Sequence, residues 1–600
     1  MLKICTAMSA LCLIFSGLHA QSSSNASSEG RYSELPMDQF IGTNSFIDTP
    51  LEKLAPVGWI REYHPWSFNE IENDVFEYNR WDGYWDFDKF YTDLKELVTM
   101  VCPVVWSSPS WLQDNGNYRP VVNEEDPFVP NSYREIAEMM YQFVGRYGAN
   151  KVDENTLFVN DGQVKKTGLN LITYYEDWNE QDKDWEGEKG EFQPGHYAAM
   201  ASANADGHCG TMGPYYGMKQ ADPDAKFVMG GLADLDTSYL NGMKTWFEHN
   251  RPDSTWPIDV INVHHYAFFQ YGTGISPEAD NFKAKIADIV GWKNRNVPEN
   301  EVWVTEFGYD SNPVSMNRAP EIGSYSQEEV QAMWNLRTFL LLSSTGIERA
   351  AHYMIRDTDP GSEPRYGDSG LTTSPKEGHE PKVTWYYLLT MRSILKDFYF
   401  KEIIREDQDA CIYKYDKGSG DTAVYACWRP SNNGWIREMS FKTDILADTL
   451  KITRMLDKSV EGNMEYVRYD TAGISISISE CPLFIEVIKD TTAFTSDTTS
   501  GNTDTTGIFV HHYESACKVF PNPASDILNI SFTDLNTIGR DITIELTDIT
   551  GRLLTTHHHY FPGENLETTL DISTFSNGLY LLRLSSHSFR HSEVIAIRRG

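Results

Sequence analysis

Between residues 40 and 398 the chain alternates two patterns. Short apolar, β-branched runs fall at 40–44, 57–63, 99–106, 169–177, 226–230, 259–264, 301–306 and 350–355. Between them lie longer stretches whose apolar residues recur every three or four positions, as at 132–145 and 327–343, and a last one at 383–395. Period-two or fully apolar runs read as strands, and the three-to-four period reads as amphipathic helix. Eight such pairs in strict alternation predict parallel strands closed into a barrel with the helices outside.

Beyond residue 398 the helical period disappears. Runs such as Ala423-Val424-Tyr425-Ala426 and Ile474-Ser475-Ile476-Ser477-Ile478 separated by turns predict a small β-sandwich over 399–490, packed on the barrel. Residues 491–512 are rich in Thr, Ser and Asp, bury too little to fold, and read as a linker. A second all-β, immunoglobulin-like unit fills 513–600. At the other end, Lys3, an apolar stretch over 10–18 and Ala20 read as a secretory signal over 1–20. No stretch approaches the twenty apolar residues of a membrane span.

Composition narrows the partners. The formal charge of −35 excludes nucleic acid and anionic membrane surfaces, which would be repelled. The same charge favours a neutral ligand over a polyanion unless basic residues line the binding groove. Sixteen Trp and 32 Tyr suit a ligand with flat C–H faces to stack on. Six of the eight Cys lie outside the signal, none in a CxxC pair, so no zinc site is indicated. Cys411 and Cys427 flank a hairpin turn at 417–420 and read equally as a disulfide or as two buried thiols.

The chemistry lies at two strand ends. Glu180 closes the fourth run and Glu306 the seventh. Carboxylates at these ends of a parallel barrel face one central cleft, where one can protonate a leaving oxygen and the other attack the anomeric carbon. Ionised Glu306 would disfavour a second charge nearby, so Glu180 is expected to stay protonated until the nucleophile is consumed.

Four features resemble the retaining glycoside hydrolases of clan A, a (β/α)8 TIM-barrel group with a two-Glu mechanism. They are Trp178-Asn179-Glu180, Thr305-Glu306-Phe307-Gly308, Arg61 at the end of the second strand, and Asp259 to Tyr266 with His264. The resemblance implies Glu180 as acid/base, Glu306 as nucleophile, and Asn179 on the sugar 2-hydroxyl. It places Arg61 and Tyr266 beside the nucleophile and counts both, with Asn179 and His264, among the substrate-binding residues. The Trp with which many clan members end strand eight is replaced by His352-Tyr353-Met354-Ile355-Arg356, and Trp385 lies too far along to stand in for it. The final unit is similar to the sorting domain of type IX secretion. The likeness rests on Val519-Phe520-Pro521-Asn522-Pro523-Ala524, Ile527 to Ile530, Asp548 to Arg552, Gly578 to Arg583 and Arg598-Arg599. It implies that machinery as a partner, with secretion or an outer-surface location.

Remaining candidates divide between function and packing. Trp66 and Trp111 are candidate sugar platforms, with packing beneath loops as the alternative. Glu176, Asp177, Asp182 and Asp184 read as solvated loop charges or caps, and Asp86 and Asp88 as loop carboxylates with a weak metal reading. His511-His512 and His557-His558-His559 read as exposed turns, so neither metal nor cofactor is expected. The expectation is a secreted, retaining, endo-acting hydrolase of a neutral β-linked polysaccharide. A β-1,3-glucan is the first candidate, and xylan or an agarose- or porphyran-type galactan the alternative. A non-catalytic glycan-binding protein is the reading from another class, and the intact pair of carboxylates argues against it.

Overall fold

The computed structural model describes residues 35–599 apart from 80–84, 98–99, 270–271, 360–364, 419–421, 470–471, 489–515, 534–539, 549–551, 562–564 and 586–589. The expected signal (1–20), linker (491–512), the hairpin tip at 419–420 and His511-His512 lie outside the described residues. None of the described helices is long and apolar enough to cross a membrane.

Eight parallel strands close the barrel: β1 (Ile41–Ser45), β2 (Trp59–Pro65), β3 (Met100–Trp106), β4 (Tyr174–Asp177), β5 (Lys226–Met229), β6 (Val260–His264), β7 (Glu301–Phe307) and β8 (Arg349–His352). Each pairs with its neighbours in sequence, and β8 returns to β1. The outer layer contains α1 (Phe87–Glu96), α2 (Arg134–Tyr147), α3 (Pro194–Asp206), α4 (Thr237–Asn250), α5 (Phe282–Asn296), α6 (Gln327–Leu342) and α7 (Val383–Leu395). Between β1 and β2 a single 3-10 turn, Leu51–Leu54, replaces the helix. Local capping explains where helices begin. Ser326 and Glu329 exchange bonds at the start of α6, and Asp86 accepts from the Lys89 N–H at 2.9 Å to start α1.

The fourth strand is shorter than its apolar run suggests. Residues 169–173 are not strand; the N–H groups of Leu169, Asn170, Leu171 and Ile172 bond the carbonyls of Arg146, Gly148 and Tyr147. The run satisfies the open carbonyls at the C-terminus of α2, a demand invisible to period counting.

Inside the barrel, side chains alternate by twos along each strand. Trp59, Cys102, Tyr174, Val228, Val260, Trp303 and Ala351 form an apolar layer towards the strand N-termini. Two residues on, the same strands present Arg61, Glu176, Asn262 and Thr305.

A six-stranded antiparallel sheet packs against the barrel: β9 (Tyr399–Glu406), β10 (Cys411–Asp416), β11 (Ala423–Trp428), β13 (Thr449–Arg454), β14 (Asn463–Arg468) and β16 (Leu483–Ile488), in the order β9-β10-β11-β16-β13-β14. A two-stranded ribbon, β12 (Arg437–Phe441) with β15 (Ile474–Ile478), covers its far face. Tyr413, Tyr415 and Trp428 join the barrel core, whereas Ile412, Tyr425 and Cys427 join the core under the ribbon. Cys411 lies opposite Trp428, and Ile412 opposite Cys427. One residue's offset puts the two cysteines on opposite faces, so they are separate buried thiols.

The last unit stacks two antiparallel sheets. Its strands are β17 (Ala516–Phe520), β18 (Ile527–Thr533), β19 (Arg540–Asp548), β20 (Leu553–Phe561), β21 (Asn565–Asp571), β22 (Gly578–Ser585) and β23 (Arg590–Ile597). The sheets run β17-β18-β21 and β20-β19-β22-β23, closed over Leu528, Ile530, Leu546, Leu582 and Ile595. His557, His558 and His559 lie on strand β20, not in a turn.

Candidate active site

Glu306 reaches the cleft through an irregularity in β7. Strict alternation from inward-facing Trp303 and Thr305 would turn Glu306 outward. Against β6 the register steps from Val263–Val304 to His264–Glu306, and against β8 from Ala350–Val304 to His352–Phe307. One extra residue in β7 opposes both neighbours, a bulge that aims Thr305 and Glu306 to the same side. Glu306 is 4% exposed. Its Oε1 accepts from Arg61 Nη1 at 2.7 Å and from the Tyr63 hydroxyl at 2.5 Å, and its Oε2 accepts from the Tyr266 hydroxyl at 2.8 Å. Burial alone would raise its pKa, but His264, Arg61 and the two phenols outweigh it and hold the carboxyl below its ordinary value.

Glu180 follows β4 in a strained turn. Trp178 and Glu180 both adopt positive φ, 75° and 48°, a region L-residues seldom occupy. The turn is tied down by the Trp178 N–H to the Val105 carbonyl at 2.8 Å and the Glu180 N–H to the Gly231 carbonyl at 3.1 Å. Buried Trp178 packs edge-on to Phe192 and anchors it.

His264 joins the two acids. Its Nδ1 lies 3.2 Å from Glu180 Oε1 and 3.6 Å from Glu306 Oε2, and its Nε2 lies 3.1 Å from Thr305 Oγ1. The Thr305 hydroxyl donates to Asn262 Oδ1 at 2.9 Å, which leaves its lone pairs for an Nε2 proton. Burial would lower the His264 pKa, but the Glu306 charge and the bond to Glu180 raise it above its ordinary value. Polar atoms of Glu180, His264 and Glu306 lie within 4.8 Å of one another, a spacing that could take a metal ion. The Arg61 cation and two phenol donors already engage Glu306, so this environment favours proton chemistry over a dication.

Below the pair, Arg61 is a hub. Its Nε and Nη2 bond both oxygens of Glu176 at 2.6 and 2.7 Å, Nη2 also bonds Asn179 Oδ1 at 2.7 Å, and Nη1 bonds Asn44 Oδ1 at 2.8 Å. Arg61 has no exposed surface, and His264 is 1% exposed. Both therefore orient the carboxylates instead of touching substrate, contrary to the binding role expected for them. Trp66 is corrected further: it is fully buried and donates to Glu70 Oε2 at 2.6 Å, which leaves no face for a sugar. Trp111 is half-buried and stands edge-on to Trp66. Asn179 is 8% exposed and Tyr266 half-buried.

Several neighbours had no strong sequence signal. Tyr63, two residues after Arg61, shares its inward face, and period two could have found it. Tyr353 occupies the end of β8 where the expected Trp is missing, and its ring lies 6.2 Å from Tyr63, 6.3 Å from Tyr266 and 5.7 Å from Tyr366. Tyr366 closes on Tyr266 at 4.7 Å.

The flanking carboxylates are not solvated as a group. Glu176 and Asp177 are fully buried, and burial raises the Asp177 pKa to about 7. Asp182 accepts from the N–H groups of Ala233 and Asp234 and so ties down the loop after β5. Asp184 is exposed. Asp88 is held by Arg146, Tyr147 and Lys166, and Asp86 caps α1, so neither is free for a metal.

Comparison with known proteins bears on the reaction class and on the last unit. Residues 193–374 match the family described as glycosyl hydrolase catalytic core, and residues 518–598 match the secretion system C-terminal sorting domain. The first match lies within the barrel, whose chemistry is that of an O-glycosyl hydrolase. The second marks the last unit as the type IX sorting signal that directs a protein to the cell surface or beyond. No curated protein matches the chain. Among solved structures, a GH30 endoxylanase from Clostridium papyrosolvens C71 is 11% identical at a TM-score of 0.46, covering 76% of this chain and 97% of that one. A family 30 subfamily 8 xylanase from Clostridium acetobutylicum is 11% identical at 0.42, with the same coverage. A Parabacteroides merdae β-glucuronidase is 11% identical at 0.33, covering 93% of this chain and 61% of that one. Likeness at these scores carries nothing about substrate.

Proposed function

We propose that the chain is a retaining, endo-acting hydrolase of a β-linked polysaccharide, with Glu306 as nucleophile and Glu180 as acid/base. The observation that carries this reading is the close approach of the two carboxyls: one oxygen of Glu180 lies within 4.8 Å of one oxygen of Glu306, with His264 bridging them and no gap for a water-activating pair held far apart. Retaining enzymes hold their carboxyls about 5–5.5 Å apart, and inverting enzymes need about 6.5–9.5 Å to admit a water between them.

In the first step Glu306 attacks the anomeric carbon while Glu180 protonates the departing oxygen. The glycosyl ester consumes the Glu306 charge. Arg61 is not left uncompensated, because the bidentate bond to buried Glu176 persists. In the second step Glu180, now ionised, takes a proton from water as the water oxygen bonds the anomeric carbon and the bond to Glu306 breaks, which restores the Glu306 carboxylate. Asn179 would meet the 2-hydroxyl, and Tyr353 would floor the sugar at the cleavage point in place of the absent Trp.

Endo action is supported by exposed aromatics on separate loops, Trp185 after β4 at 62% exposure and Phe269 after β6 at 61%. They could line an extended groove. Candidate polymers are β-1,3-glucan, xylan and agarose- or porphyran-type galactan. The division of the chain that goes with this reading is a signal (1–20), catalytic barrel (35–398), β-sandwich (399–490), linker (491–512) and sorting unit (513–600). The experiment is azide rescue. On an activated equatorial β-glycoside, Glu180→Ala should be rescued with a β-glycosyl azide product, and Glu306→Ala with an α-azide. Near-wild-type turnover of either variant on an unactivated polymer would remove the assignment, and free monosaccharide alone at early times would remove endo action.

A further inference from the structure

The acidic chain makes its unpaired cations informative. Arg365, in the segment after β8, is exposed, and no carboxylate pairs with it among the described residues. Its guanidinium is fixed all the same. It lies 5.2 Å from the ring centre of Phe268 and 4.8 Å from that of Tyr366. Contact with two aromatic rings orients a guanidinium, and even with one N–H directed at the Tyr366 hydroxyl the remaining donors of its fork stay available to a ligand.

This cation belongs to the active-site rim. Tyr366 lies 4.7 Å from Tyr266, whose hydroxyl donates to Glu306. Two rings thus separate the arginine from the nucleophile. The active-site acids Glu180 and Glu306 are turned towards His264, Arg61 and the phenols. A lone guanidinium held this way, at the rim of the Glu306 site in a chain of charge −35, is a receptor for an anion that the rest of the surface would repel.

We infer that Arg365 is a specificity residue that binds an anionic substituent, a carboxylate or sulfate, on a sugar at or next to the cleaved linkage. This rests on the retaining-glycosidase reading and narrows its substrate: an acid-bearing xylan or galactan fits, and an unsubstituted β-1,3-glucan does not. The planar fork favours a carboxylate, which it can bind through two parallel bonds. Basic residues at the groove are the condition under which an acidic chain can take an acidic polymer.

The test pairs each polymer with its neutralised form: a uronate-bearing xylan against the same xylan after carboxyl reduction, and a sulfated galactan against the desulfated polymer. The wild type should favour one acidic polymer over its neutral form by about ten-fold in kcat/KM, the size of one charge-assisted contact. Arg365→Gln should bring that ratio close to one, chiefly through KM, and Arg365→Lys should retain part of it. The pair that responds identifies carboxylate or sulfate. Equal rates on acidic and neutral forms, or an unchanged ratio in Arg365→Gln, overturns the inference alone. Failure of Glu306-dependent cleavage on every polymer overturns the glycosidase reading beneath it.

Discussion

Two layers of the barrel interior are built on the same strands and do opposite work. Trp59, Tyr174, Val260 and Trp303 fill the lower layer, and Arg61, Glu176, Asn262 and Thr305 stand two residues further along. The lower layer is a packed plug in which Trp59 and Trp303 meet at 5.3 Å and Tyr174 and Trp303 at 4.9 Å. The upper layer buries formal charges, which cost free energy unless each is paired. One step of the strand period therefore separates residues that hold the barrel together from residues that burden it and make it reactive.

The sharpest way to break this division is to cut the plug. Trp303→Ala removes a fully buried indole and its partners' contacts, and should cost about 3–5 kcal/mol. The signature is a lower urea midpoint with the pH–rate profile of the folded fraction unchanged. A displaced acid limb at wild-type stability would show that the lower layer acts on catalysis directly.

A smaller effect is expected one layer up. Tyr63→Phe deletes a hydroxyl bonded to Glu306 while leaving the ring on Phe46. Lost donation to a charged acceptor should lower kcat/KM about 10–100-fold. Burial of Glu306 would then be less well opposed, so the acid limb of kcat/KM should move to higher pH. Equal kcat/KM with an unmoved limb would reduce Tyr63 to packing.

The contrast between the layers also explains what could be read from the chain. The barrel was legible because eight apolar runs alternate with helical stretches, and helix 383–395 coincides with its apolar pattern. Glu306 could be located but not aimed, because its direction depends on a bulge set by the registers of two neighbouring strands. Glu176 looks like any acidic residue beside a motif. Its burial follows only from Arg61, 115 residues earlier, reaching it across the barrel. Trp66 misled for the complementary reason: a strand-end Trp suggests a platform, but Glu70, four residues on, supplies an acceptor that lets the indole bury. Arg365 carries no motif, and only the tertiary placement of Phe268 and Tyr366 sets it apart.

The smallest effect sharpens the comparison through proton linkage. Glu306 and His264 are shifted in opposite directions, the carboxyl down and the imidazole up. A depressed carboxyl contributes stability that is present above its unfolded pKa, near 4.5, and is lost as pH falls through its folded value. A raised imidazole contributes stability that is present below its unfolded pKa, near 6.5, and is lost as pH rises through its folded value. The upper layer is thus most stable when Glu306 is ionised and His264 protonated, and it weakens on both sides. The titratable groups of the lower layer, Cys102 and Tyr174, are pushed further up by burial, so both stay uncharged and add no such term near neutral pH. Urea midpoints measured upward from pH 6 should decline in the wild type as His264 loses its proton, and His264→Gln should flatten that decline. The His264→Gln profile should still fall on the acid side, where Glu306 is protonated. A decline of equal slope in both proteins would assign it to groups outside the site. The paired cation beside the nucleophile would then have no measurable part in holding the fold.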